Sequence, residues 1–141
     1  MNKLNVLLIV FATALAFTAC QNPEKILPSN EGTWLASSGT YNEFRDDVPT
    51  VTDSTLSFTD VSYQFNEDGT GSHTENNVTT DFDWVYDKDT EQLTITEDVF
   101  PQVFDVLKIS KNEMTLYYEF DSSFFGTITK YEYTINLTKT N

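Results

Sequence analysis

One cysteine, one histidine and one arginine stand in this chain of 141 residues: Cys20, His73 and Arg45. Each scarcity excludes something. A lone cysteine rules out an internal disulfide framework, and no Cys/His spacing of a zinc site occurs. A nucleophile–base–acid set needs a histidine or an equivalent base that converges on its partners. His73 neighbours Ser72 in a stretch with strand alternation, where adjacent side chains point to opposite faces. The two therefore do not meet, and His73 reads as a surface residue. Only five glycines are present, and none forms a phosphate-cradling pattern. Positive charge is scarce as well: eight Lys and Arg face 22 Asp and Glu, for a net charge of −14. This argues against nucleic acid and anionic lipid headgroups as partners, since both attract positive surfaces. No run of five or six like charges marks an acidic tail, so the acidity reads as a self-repelling, soluble surface.

The N-terminus carries a distinct signal. Lys3 is followed by an apolar stretch from Leu4 to Ala19, interrupted only by Asn5, Thr13 and Thr18. A charged start, an apolar middle and a small-residue end describe a secretory signal. The stretch is shorter than the about 20 apolar residues of a comfortable membrane span. Phe17-Thr18-Ala19-Cys20 resembles the box read by lipoprotein signal peptidase, with Phe17 in place of the usual Leu. The resemblance implies that residues 1–19 are a lipoprotein signal peptide and that Cys20 becomes the acylated first residue. Several acyl chains anchor durably, since each buried methylene adds about 0.8 kcal/mol. Gln21, where Asp would favour inner-membrane retention, points to the outer membrane. Glu24 is the only acid close behind Cys20, so the membrane face stays open. Processing removes Lys3 and leaves seven basic against 22 acidic residues, a net of −15.

Residues 20–30, with Pro23 and Pro28, read as a lipidated tether, and residues 31–141 as one domain. Period-two alternation recurs through that domain with turn residues between the runs. Trp34 lies in a first strand, and residues 45–54 read as a loop. Val61, Tyr63 and Phe65 share one face of a second strand. Asp68-Gly69 marks a tight hairpin. Phe82, Trp84 and Tyr86 alternate, as do Leu93 and Ile95, Met114 to Phe120, and Tyr131 to Leu137. Asp121 to Gly126 reads as a break. About eight strands joined by short loops are antiparallel neighbours. The expected fold is all-β, an eight-stranded up-and-down barrel, with a two-sheet β-sandwich as the alternative. The alternate positions are Asp, Thr, Lys and Glu, which argues against an outer-membrane barrel, whose strands need an apolar outward face.

Three local patterns resemble the bacterial lipocalin-like lipoproteins common in Bacteroidetes. They are Gly32-Thr33-Trp34 at the first strand, Phe65-Asn66-Glu67-Asp68-Gly69-Thr70 at a hairpin, and Trp84-Val85-Tyr86 followed by Leu93-Thr94-Ile95. The similarity spans residues 31–140. It implies a barrel that binds a small apolar molecule, with Trp34, Trp84 and Tyr131 as ligand-lining candidates. In lipocalins a late arginine packs over the first-strand tryptophan. Arg45 comes too early for that role, which falls to Lys130 or Lys139.

The remaining chemistry is sparse. Asp81 and Asp83 share a strand face, and Asp87, Asp89 and Glu91 crowd a turn. Gln92 stands where a calcium loop requires glycine, so the turn reads as a solvated acidic hairpin. Paired carboxylates hydrolyse glycosides at separations of about 5–9 Å, but no pair stands out among the 22 acids. Phe124 and Phe125 fall in a loop, where they would cap the barrel mouth or form a contact patch. The sequence thus predicts a non-enzymatic, lipid-anchored envelope protein without metal or cofactor, which binds a small apolar molecule or acts as an interaction module. The alternative is a surface glycan- or protein-binding accessory domain.

Overall fold

A computed structural model describes residues 22–140. The signal peptide and Cys20 lie outside the described residues. A four-residue helix, α1 (Pro23–Ile26), and a 3-10 turn (Asn30–Gly32) lead into nine strands. These are β1 (Thr33–Arg45), β2 (Val48–Leu56), β3 (Ser62–Phe65), β4 (Thr70–Glu75), β5 (Val78–Asp87), β6 (Gln92–Glu97), β7 (Phe100–Ile109), β8 (Glu113–Phe124) and β9 (Thr127–Lys139). All pairings are antiparallel, and the ring β1-β3-β4-β5-β6-β7-β8-β9 closes where β9 pairs with β1. The result is an eight-stranded barrel with one extra strand, β2, on the upper half of β1. The closed ring selects the barrel over the sandwich.

Residues 45–54 form most of β2 rather than a loop. Asp46 (φ 48°) and Asp47 (φ 64°) both take the left-handed conformation of a two-residue hairpin, which aspartate tolerates better than most residues. Asn76 and Asn77 make the same turn between β4 and β5. The expected break at Asp121 is absent too. β8 continues to Phe124, and Phe125-Gly126 forms the turn.

The core sits at the lower end of the barrel. Trp34, Phe65, Leu93, Met114 and Leu137 are fully buried there with Leu27. The segment expected as a tether is folded from residue 22 onward. Leu27 is 1% exposed, and its carbonyl accepts a 3.0 Å bond from Trp34 Nε1. Lys139 enters from β9, with Nζ 4.7 Å from the Trp34 ring centre, and takes the place of the late arginine. Its ammonium donates to the Ile26 carbonyl and, at 2.7 Å, to Ser29 Oγ. Lys130 lies elsewhere, over Phe44 and 2.7 Å from Glu132. Gly71 allows the core to close above this floor, because a Cβ there would sit 2.3 Å from the Phe82 ring.

Candidate functional site: the open end of the barrel

Strand alternation decides which side chains line the barrel above the core. On β8 the inward series is Met114, Leu116, Tyr118 and Phe120, and pairing places Leu137, Ile135, Tyr133 and Tyr131 of β9 beside them. Tyr41 of β1 pairs with Tyr133, and Glu43 with Tyr131. Five rings thus form one wall. Phe120 stacks on Tyr131 at 5.0 Å and lies nearly parallel to Tyr133 at 6.1 Å. Tyr41 lies 5.5 Å from Tyr133 and 6.4 Å from Tyr131. Tyr118 links the wall to the core through Phe104 at 5.3 Å.

This wall is not covered by its neighbours. β7 pairs with β8 only up to Asp105↔Tyr117, so the upper part of β8 stands clear of β7. Phe120 is 40% exposed. On the far wall the inward positions Val78, Thr80 and Gln102 are exposed as well. Large rings meeting water on an inward face are what an unfilled binding mouth presents, in contrast to the close-packed floor.

Apart from Val78, the far wall is polar. His73 of β4 pairs with Tyr63 of β3, and their rings stack at 4.7 Å with an 11° tilt. His73 Nδ1 lies 3.5 Å from Glu97 Oε1 on β6. His73 Nε2 is buried and has no hydrogen-bond partner among the described residues. A buried nitrogen left unpaired costs about 1–3 kcal/mol, which the packing of the ring against Tyr63 has to offset. The sequence placed His73 on the surface. The structure turns it inward, because Phe65↔Gly71 sets the register and brings His73 to the face of Tyr63. Burial, with Glu97 and Glu75 nearby, pushes the Tyr63 hydroxyl up to about 12.

Glu43 closes the aromatic wall at the top. It accepts bonds from Tyr41 Oη at 2.7 Å and Thr50 Oγ1 at 3.0 Å, with Arg45 at 3.6 Å. The Tyr41 bond, then Thr50 and Arg45, hold its carboxyl below the usual range, while the same bond pushes Tyr41 up to about 12.

The three nominated ligand-lining residues do not share a surface. Tyr131 belongs to the aromatic wall. Trp34 is fully enclosed in the floor. Trp84 also lies low, against Phe65 at 5.6 Å, with Nε1 donating to the Asn66 and Thr70 carbonyls at 3.2 and 3.0 Å. Tyr41, Tyr118, Phe120 and Tyr133 complete the wall instead, and their alternation was the available signal.

Other features lie outside the mouth. Asp81 and Asp83 face outward into a polar groove of about 570 Å³ with Gln64, Ser72, Thr96 and Asp98. Asp87 caps its own turn, accepting from the Asp89 and Thr90 amides at 2.8 and 3.3 Å. Among the described residues no three His, Cys, Asp or Glu side chains converge as metal ligands. Phe124 and Phe125 pack edge to face at 4.4 Å on the β8–β9 tip, 73% and 95% exposed, so they project beyond the mouth rather than capping it.

Solved structures share this architecture. Apocrustacyanin C1 superposes with a TM-score of 0.54 at 16% identity, over 91% of this chain and 68% of its own. Lobster apocrustacyanin A1 gives 0.51 at 17% identity, over 84% and 66%. Apocrustacyanin C2 gives 0.51 at 16% identity, over 91% and 68%. At these identities the likeness shows the fold. No curated protein matches the chain in sequence. A family profile described as a lipocalin-like domain matches residues 31–116, from the Gly32-Thr33-Trp34 entry of β1 through the buried half of β8, and with that match the chain belongs to the lipocalin-like domain family.

Proposed function

We propose that this protein is a lipid-anchored, non-enzymatic binding protein of the bacterial cell envelope, of the Bacteroidetes lipoprotein type, and that it holds a small apolar molecule in the barrel mouth. The observation that carries the binding half is the partly exposed wall of Tyr41, Tyr118, Phe120, Tyr131 and Tyr133 on an inward face. Rings of this kind supply apolar contact worth about 1–2 kcal/mol each when a ligand covers half of one. The anchor half rests on the Phe17-Thr18-Ala19-Cys20 box and its apolar leader. An outer-membrane address is the matching location. Palmitate-analogue labelling of the full chain tests it, since Cys20→Ser should abolish the label.

Titration with the neutral fluorophore N-phenyl-1-naphthylamine tests the mouth. Saturable binding is expected, roughly tenfold weaker in Phe120→Ala and in Tyr133→Ala, since about 1.4 kcal/mol is a factor of ten. Leu107→Ala, on the outer wall, serves as the control and should bind as the wild type does. Equal binding by all four proteins would remove the mouth from the account.

A second reading is favoured by Phe125. It is 95% exposed at a turn position with φ 49°, where a bulky side chain is strained and Asn or Gly is not. An exposed ring kept at such a position suits a contact tip for a glycan or protein. Loss of glycan-array or partner binding in Phe125→Asn is the expected result.

A further inference from the structure

Directly above the aromatic wall the inward face changes character. Cross-strand pairing stacks the inward positions of β8, β9 and β1 in layers. Phe120, Tyr131 and Glu43 form one layer, and Ser122, Thr129 and Arg45 form the next one up. Successive layers lie about 7 Å apart, two residues along a strand. Phe124, paired with Thr127, ends the series. A cavity of about 380 Å³ opens at this rim, lined by Arg45, Phe124, Phe125, Thr127 and Thr129. Its lining holds one charge, and that charge is positive.

The carboxylates beside Arg45 are committed elsewhere. Asp46 and Asp47 line a separate groove on the outer face, with Phe44 and Lys130. Asp46 Oδ1 accepts from the Ile128 amide there at 3.2 Å. Glu43 is held by Tyr41 Oη at 2.7 Å and Thr50 Oγ1 at 3.0 Å. Arg45 stands 3.6 Å from Glu43, which is an ionic contact beyond hydrogen-bond length. The guanidinium can therefore turn to a ligand while Glu43 keeps two bonds. Its planar fork suits a carboxylate, with two N–H donors meeting two oxygens. The Thr127 and Thr129 hydroxyls in the same cavity supply further donors. Donors thus sit above rings, an order that matches an amphiphile whose anionic head points out of the barrel.

Resting on the reading of the mouth as a binding site, we infer that Arg45 reads the head group there, and that the mouth takes an amphiphile with a carboxylate head. The carboxylate lies on Arg45 and Thr129 at the rim, and the apolar chain runs down the wall past Tyr131 to Tyr133. Arg45 and Tyr133 are separated by two inward layers, about 13 Å along the strands, so a chain of medium length covers both levels of rings.

Two probes with one chain and opposite heads test this: decanoate and decylamine, each displacing N-phenyl-1-naphthylamine at neutral pH. Decanoate should displace it at concentrations at least fivefold lower than decylamine. The acidic net charge and the aromatic faces alone would favour the amine, so this order isolates Arg45. Arg45→Gln should erase the advantage or reverse it, with far-UV circular dichroism showing the variant folded. Nuclear Overhauser contacts in the wild-type complex read the orientation without any substitution. The decanoate C2 protons should meet the Thr129 methyl group, and the terminal methyl should meet the Tyr133 ring. Decylamine binding as tightly as decanoate, an advantage that survives in folded Arg45→Gln, or contacts in the reverse order overturns the inference while leaving the mouth in place. Failure of both chains and of the fluorophore to bind overturns the mouth reading and this inference with it.

Discussion

Replacing Lys139 by methionine probes how the closed end is held. The Lys139 side chain is almost wholly enclosed, and its ammonium ties α1 to β9 through the Ile26 carbonyl and Ser29 Oγ. It also lies over Trp34 at 4.7 Å. Two charged hydrogen bonds contribute about 1.5–3 kcal/mol each, and the cation–π contact about 1 kcal/mol. Against this stands desolvation, which lowers the Lys139 pKa and which methionine avoids. Allowing about 2–3 kcal/mol for that relief leaves a net loss of about 2–4 kcal/mol. For a domain of this size that lowers Tm by roughly 8–16 °C. Lys139→Arg keeps the charge and the donors but must fit a larger, planar group into an enclosed site, at a cost of about 1–3 kcal/mol. Urea and thermal unfolding followed by the fluorescence of Trp34 and Trp84 reports both variants. A methionine variant within about 0.5 kcal/mol of wild type, the range of an ordinary surface change, would refute the reasoning.

Alkaline pH should loosen the barrel through Tyr63. Its pKa is raised to about 12 in the fold, so the stability it contributes is full below pH ~10 and is lost as pH climbs towards ~12. That contribution is about 2–3 kcal/mol. Tyr63→Phe should flatten the fall in urea midpoint over this range, and an unchanged slope would count against a buried Tyr63. Gly71→Val should cost more than about 2 kcal/mol, because the new Cβ would meet the Phe82 ring at 2.3 Å and the Gln64 carbonyl at 2.4 Å. A near-neutral denaturation curve would show that the β3–β4–β5 register is wrong. Phe125→Asn should raise stability by about 0.5–1 kcal/mol by relieving the left-handed turn, and calorimetry showing a drop would mean that the ring packs on the fold.

Much of the barrel was legible because its strands announce themselves through one apolar face. Met114, Leu116, Tyr118 and Phe120 alternate without a break, as do Tyr131, Tyr133, Ile135 and Leu137, and both runs are inward-facing strands. β2 was hidden for the opposite reason. Val-Pro-Thr-Val-Thr-Asp-Ser-Thr-Leu buries little, so no apolar period separates it from a loop, and only pairing with β1 orders it. The floor was half legible. Trp34 was expected inside, while the fold of residues 22–30 depends on Leu27 and Lys139, which are remote in sequence and meet only once the barrel closes. The mouth was legible in Tyr131 and not in His73. β4 reads Thr-Gly-Ser-His-Thr-Glu and carries no large apolar residue to reveal its inner face. The Asp68-Gly69 hairpin, followed from Phe65 to Gly71, contained that register.

A crystal structure of residues 22–141 grown with N-phenyl-1-naphthylamine would address the central claim most directly. Density for the naphthyl ring against Phe120, Tyr131 and Tyr133 is the expected result. Density confined to the Phe124–Phe125 tip or to the outer groove of Asp81 and Asp83, with the mouth holding only water, would contradict it.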